Sequence, residues 1–269
     1  MSDAATFEQT SGETPLVISL PHTGTGLPAD IAARLNARAR RVEDTDWHVE
    51  RLYEFARDNG ASWLKPALSR YVVDLNRPPG DEALYPGQAS TGLCPGLSFD
   101  GAPLYSGAAP DAVEVAERRV RYWQPYHTAL QDLIAATRRR HGYCVLLDAH
   151  SIRSEVPRLF AGRLPDVNVG TNDGRSCDPR LAQAIMLRLR AQAHFSHVLN
   201  GRFKGGYITR AYGQPDRGVH AVQLELAQAA YMDEASARWD AARARPLVDL
   251  LAEIVTELQE FRPLQTFPG

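Results

Sequence analysis

Cysteine is scarce in this chain of 269 residues. The three present, Cys94, Cys144 and Cys177, are odd in number and far apart, so neither a disulfide framework nor a CxxC metal site follows from them. Long apolar runs are missing as well: none approaches the ~20 residues needed to span a bilayer. The first residues, Met1 to Glu8, are polar and acidic, without the basic and apolar regions of a secretory signal. Nor is there an excess of charge. With 30 Lys and Arg against 32 Asp and Glu, the net charge is −2, which leaves no positive field for nucleic acid or an anionic membrane. The expectation is a reduced, cytoplasmic protein with no nucleic-acid or membrane partner. The G-x-S-x-G elbow and the phosphate-binding G-x-x-x-x-G-K-[ST] loop are also absent, which argues against those nucleophile and nucleotide chemistries.

What the chain does have is an alternation of apolar strands and amphipathic helices. Pro15–Leu20, Ser62–Lys65, Arg70–Leu75, Gly142–Ser151, Pro157–Gly162, Gly205–Arg210 and Val219–Leu226 read as strands. Helices are expected from Leu27 to about Ala37, after Glu43–Asp46, over Asp111–His141 with Pro125 the candidate break, from Asp178 to about Ala193, and from Glu234 to Leu258. Val169–Cys177 reads as a loop. Residues 81–110 are rich in Gly, Pro and Ser without a period, and a loop that long inside one domain reads as a substrate lid. The expected organisation is a flexible tail over residues 1–12 and a single α/β domain over 13–269. Its mixed, mostly parallel central sheet would be flanked by helices.

Chemistry-bearing residues fall where these elements end. Pro21-His22 and Ala149-His150 each follow an apolar strand, Asp44 and Asp46 flank one threonine before a helix, and Glu225 closes another apolar strand. Two imidazoles and a carboxylate with an open fourth position suit a catalytic zinc. A further carboxylate beside them suits a general base. Each residue also has a structural alternative: a bond to its own glycine turn for His22, helix caps for Asp44 and Asp46, an arginine pair for Glu225. One ligand centre would account for all of them together. Asp148, two residues before His150, can orient the imidazole's other nitrogen. Asn76-Arg77 precedes Pro78-Pro79, so both side chains can face one pocket, where the guanidinium fork matches a carboxylate. Arg210 is a second candidate for an anionic substrate. Asp148-Ala149-His150 is similar to the DAHxD segment of manganese ureohydrolases such as arginase. Ile152 stands where that family has its second aspartate, so a two-metal site is discounted.

Taken in order, Ser19–Gly24, Asp44–Trp47, Arg70–Arg77, Asp148–Ser151 and Gln223–Glu225 resemble the N-formylglutamate deformylase (N-formylglutamate amidohydrolase) family. The resemblance runs from about residue 13 to residue 260. It implies a zinc-carboxypeptidase-like (phosphorylase/hydrolase-like) architecture and one Zn2+, or another divalent transition metal, per chain. The metal would be held by His22, Asp46 and His150. The carboxypeptidase HxxE spacing is not kept, since Thr25 stands at that offset from His22; alignment with the family motif favours Asp46 over Asp44 as the acidic ligand. The resemblance further implies Glu225 as catalytic base, Asn76, Arg77 and Arg210 as contacts of a small anionic substrate, and hydrolysis of N-formyl-L-glutamate to formate and L-glutamate in histidine degradation.

Overall fold

The computed structural model describes residues 5–82 and 91–264. Its strands are β1 (Phe7–Thr10), β2 (Leu16–Ser19), β3 (Ser62–Pro66), β4 (Cys144–Ile152), β5 (Val167–Gly170), β6 (His197–Leu199) and β7 (Val219–Ala227), with a small hairpin of β8 (Met232–Asp233) and β9 (Arg238–Trp239). The helices are α1 (Ala29–Arg34), α2 (Val49–Asp58), α3 (Ala112–Arg118), α4 (Gln124–His141), α5 (Pro179–Arg190), α6 (Tyr207–Tyr212) and α7 (Ala241–Glu260). Seven strands form one sheet in the order β1-β3-β2-β4-β7-β5-β6. β3, β2, β4 and β7 run parallel, β1 and β5 pair antiparallel to β3 and β7, and β6 follows β5 in parallel. The expected mixed, mostly parallel α/β sheet is present.

The central strands are covered on both faces, which is why they read as near-continuous apolar runs. Val145, Leu147 and Ala149 of β4 join Val222, Leu224 and Leu226 of β7 in a core with α2, α5 and α7. Cys144 and Leu146 point the other way, with Ala221, into a second core with Tyr126, Leu130 and Leu133 of α4. Each wholly buried leucine contributes about 1.5–3 kcal/mol. On this second face the apolar side chains then give way to polar ones. Asp148 and His150 replace the leucine pattern on β4, and Gln223 and Glu225 do so on β7. The register pairs Asp148 with Gln223 and His150 with Glu225. These groups therefore lie inside the strands, not beyond their ends, and the apolar first halves offset the cost of burying them.

Several local expectations change. Arg70–Leu75 is not a strand, because its backbone turns (Val72 N–H donates to Ser69 O at 2.9 Å) to wrap the buried Asp74. Pro157–Gly162 is a turn in which Leu159 and Phe160 N–H both donate to Val156 O, at 2.8 and 3.0 Å. Gly205–Arg210 becomes the start of α6, and Val169–Gly170, expected as loop, completes β5. Part of the expected tail is a strand: Phe7–Thr10 pairs with β3, and the Phe7 ring meets Tyr126 edge-on at 6.2 Å. The C-terminal helix begins later than expected, at Asp240, whose side chain accepts from the N–H groups of Ala242 and Arg243.

The long helical stretch is interrupted before Pro125, by a π-turn over Arg119–Trp123. Proline cannot donate to the carbonyl of Arg121 four residues back, and the wider turn absorbs that loss. Of the lid expected over residues 81–110, residues 83–90 lie outside the described residues. Residues 91–110 are tethered to the site, with Leu93 O accepting from Asp74 N at 2.7 Å and Phe99 N donating to Asp44 Oδ2 at 2.8 Å.

Candidate active site

His22 sits on the turn that ends β2. Thr23 Oγ1 donates to Leu20 O at 3.1 Å, and Gly24 lets the turn close, since a Cβ there would lie 2.3 Å from the Leu68 carbonyl oxygen. The carbonyl of His22 accepts from Asp46 N–H at 3.1 Å, which brings the segment before α2 to the end of β2. The two candidate aspartates then diverge. Asp44 is used by Phe99 N–H, whereas Asp46 Oδ2 lies 3.0 Å from His150 Nδ1 and 3.6 Å from His22 Nδ1. Neither caps α2, whose N-cap position is His48 in the left-handed region at φ 62°.

His22, Asp46 and His150 thus meet, all buried, with one ligand atom from each within 4.8 Å of the others. Behind the rings the arrangement repeats. His22 Nε2 bonds to Asp74 Oδ1 at 2.7 Å, and His150 Nε2 to Asp148 Oδ1 at 2.9 Å. With each Nε2 turned outward to a carboxylate, each Nδ1 faces the centre, where a neutral imidazole would offer its lone pair. Asp74 is held in turn by Arg70 Nη2 at 2.6 Å and by Asn76 N–H at 2.9 Å, and Asp148 by Thr209 Oγ1 at 3.1 Å and Asn76 Nδ2 at 3.2 Å.

The charges are strongly coupled. Burial alone would raise the pKa of Asp46, but His22 and His150 outweigh it and hold the group well below the usual carboxylate range. Asp74 is held low against burial by Arg70, His22 and Arg77. His150 goes the other way: burial lowers it, but Asp148 and Asp46 raise it well above an ordinary imidazole. Glu225 is pushed up to about 8 by burial, His150 and Arg70 opposing and Asp46 and Asp148 adding. Its Oε2 accepts from Gln223 Nε2 at 3.1 Å, and Gln223 Oε1 accepts from Gly206 N–H at 2.6 Å.

His22, His150, Glu225, Arg70, Asn76 and Arg77 line a single cleft. Asn76 is heavily committed there: besides Asp148, its Oδ1 accepts from Ile208 N–H at 2.8 Å. Gly206 packs so closely that a Cβ would sit 2.3 Å from the Asn76 amide. Arg77 is anchored by Thr91, its Nε donating to the carbonyl at 2.9 Å. The Leu75–Arg77 segment is gripped from behind by α4 and the π-turn: His127 Nε2 bonds to Leu75 O at 2.9 Å and Trp123 Nε1 to Arg77 O at 3.0 Å. Burial lowers His127 to about 4. Arg210 lies on α6, its Nε donating to Gly205 O at 2.8 Å, and is not among the residues lining the cleft. The sequence reading gave no role to Asp74, Arg70 or Gln223. The available signals were an acid inside the apolar run Arg70–Leu75 and the two-residue spacing of Gln223 from Glu225, which puts both on one face of a strand.

A cleft along parallel strands, holding a buried carboxylate base candidate beside two histidines and an aspartate, is the site of an α/β hydrolytic enzyme. The chain belongs to the N-formylglutamate amidohydrolase family, whose model matches residues 14–232, and it is an amidohydrolase. It is 54% identical over 235 residues to the N-formylglutamate deformylase of Pseudomonas aeruginosa strain PAO1 and 49% identical to that of Pseudomonas putida, covering 87% of this chain and of each relative. The crystal structure of N-formylglutamate amidohydrolase from Ralstonia eutropha JMP134 superposes with a TM-score of 0.77 at 27% identity, over 95% of this chain and 96% of that one. A gene product of Agrobacterium tumefaciens shares the fold, with a TM-score of 0.69 at 20% identity over 95% of this chain and 96% of that one.

Proposed function

We propose that the protein hydrolyses N-formyl-L-glutamate to formate and L-glutamate, using one divalent metal ion, zinc or a similar transition metal, held by His22, Asp46 and His150. The observation that carries this reading is the convergence of those three ligand atoms, with His22 and His150 lining one cleft beside Glu225. The donors fit such an ion. Two inward Nδ1 atoms and a carboxylate make the common catalytic set. The remaining oxygen of Asp46, Oδ1, is buried without a hydrogen-bond partner, and Arg70 Nη1 is 3.8 Å away. A metal bound there supplies a Lewis acid for the formyl oxygen and lowers the pKa of water toward ~7.

The chain's own groups do the rest. Glu225, registered beside His150, takes the proton of the attacking water and delivers it to the leaving amine. Asp74 and Asp148 keep the two imidazoles in the donor orientation. Arg77, fixed by Thr91 and Trp123, receives a substrate carboxylate, and Asn76 locks its neighbour and α6 in place. Binding the amino acid away from the formyl group supplies the orientation that a one-carbon acyl group cannot. The names of the relatives support the substrate, and these products fit the end of one route of histidine breakdown. The test is formate release from N-formyl-L-glutamate with and without a chelator, beside a panel of N-acyl amino acids. Chelation should abolish release and added metal restore it. Preference for N-acetyl or peptide substrates would overturn the assignment.

A further inference from the structure

Glu225 has two carboxylate oxygens, and the bonds around it treat them differently. Gln223 lies two residues earlier on β7 and on the same face. Its buried amide bridges two groups: Oε1 accepts from Gly206 N–H at 2.6 Å, and Nε2 donates to Glu225 Oε2 at 3.1 Å. A backbone N–H can only donate. The amide must therefore present its oxygen to Gly206 and its NH2 to Glu225. Gly206 is itself fixed, because it precedes α6 and α6 is docked on Asn76. Ile208 N–H donates to Asn76 Oδ1 at 2.8 Å, and a Cβ at position 206 would lie 2.3 Å from the Asn76 amide.

The polarity of this chain of bonds commits Oε2 as an acceptor. Among the described residues no hydrogen bond reaches Oε1, and Oε1 is not one of the buried oxygens left without a partner. Glu225 lines the cleft, so Oε1 is the oxygen that stays open to it.

We infer that Gln223 is a positioning residue for proton transfer: it holds Glu225 through Oε2, so that Oε1 alone takes the proton of the attacking water and returns it to the leaving amine nitrogen. One O–H bond of water breaks as the Oε1–H bond forms. That proton then leaves on the amine as the C–N bond breaks, and the carboxylate is regenerated. This rests on the proposed hydrolysis and deepens it. The experiment measures kcat and KM for N-formyl-L-glutamate, together with metal content, in the wild type, Gln223→Met, Glu225→Gln and the double variant. Gln223→Met has a similar length but neither donor nor acceptor. It should lower kcat about 10–100-fold, with KM within about threefold and metal content unchanged. Because Gln223 acts through Glu225, adding Gln223→Met to Glu225→Gln should change kcat by less than about twofold. Gln223→Asn, whose amide is too short to span both groups, should show the same split and serves if the methionine variant does not fold. An unchanged kcat in Gln223→Met, a loss expressed mainly in KM, or an equal loss in both backgrounds would overturn the inference; the last two mark a link to α6 that only supports the structure. Full turnover in Glu225→Gln would refute the base and this inference with it. A wild type that releases no formate from N-formyl-L-glutamate would refute the functional reading itself.

Discussion

At the floor of the cleft, Asp148, His150, Gln223 and Glu225 occupy registered positions on two adjacent parallel strands. The outer wall is made differently: Leu159, Arg202 and Phe203 come from turns outside the named strands and helices. The floor groups are placed by a hydrogen-bond ladder that cannot shift one group without shifting its neighbours. The wall groups are placed by a few bonds to loop carbonyls. Groups that need fixed mutual distances suit the ladder, and groups that can vary suit the turns.

The largest effects are therefore expected at the floor. His150→Ala removes one proposed ligand and leaves Asp46 and Asp148 without the ring between them, so metal content by elemental analysis should fall to background and turnover with it. A variant that keeps a full complement of metal would dissolve the floor as a metal centre. Glu225→Gln keeps the shape and removes the proposed base. It should retain metal while kcat drops by about 10²–10⁴-fold, and unchanged turnover would exclude Glu225 from proton transfer. One layer out, Asp74→Asn or Asp148→Asn should weaken metal affinity by roughly 10–100-fold, read by competition with a chelating dye. Equal effects of the two would support the symmetry of the two histidine–aspartate pairs.

The pH dependence follows from the same charges. With no metal bound, His150 stays protonated well above the ordinary imidazole range and Glu225 keeps its proton up to about 8. Metal binding at neutral pH must therefore expel protons. Apparent affinity should rise with pH through that range and fall as the medium is acidified. Calorimetry in two buffers of different ionisation heat measures the release, and an identical heat in both would contradict it. The smallest effect is expected at the wall. Phe203→Leu should raise KM by less than about tenfold and leave metal affinity unchanged; a loss of metal there would erase the contrast between the two regions.

Much of the floor was legible because a buried polar residue in an apolar strand is costly and calls for an explanation. His150 and Glu225 each interrupt an apolar strand, His22 follows one and Asp46 precedes a helix, and the structure brings the four together. Asp74 was harder to read. The run Arg70-Tyr71-Val72-Val73-Asp74-Leu75 has the composition of a strand, and only tertiary bonds to Arg70, His22 and Leu93 turn it into a loop. The helix at α6 was hidden for a related reason. Gly205–Arg210 reads as a strand, yet Gly206 is there because Asn76 leaves no room for a side chain. The wall was least legible, since Leu159 and Arg202 acquire meaning only from a carbonyl bond across 43 positions of sequence.

The ladder between β4 and β7 also sets how this enzyme can be re-engineered. Inserting or deleting one residue inside either strand would turn its polar side chains to the opposite face, so the centre has no tolerance for changes in length there. The turns around Leu159 and Arg202 carry no such constraint and can be exchanged as cassettes. A library confined to them would vary that side of the cleft while every variant inherits the same floor residues.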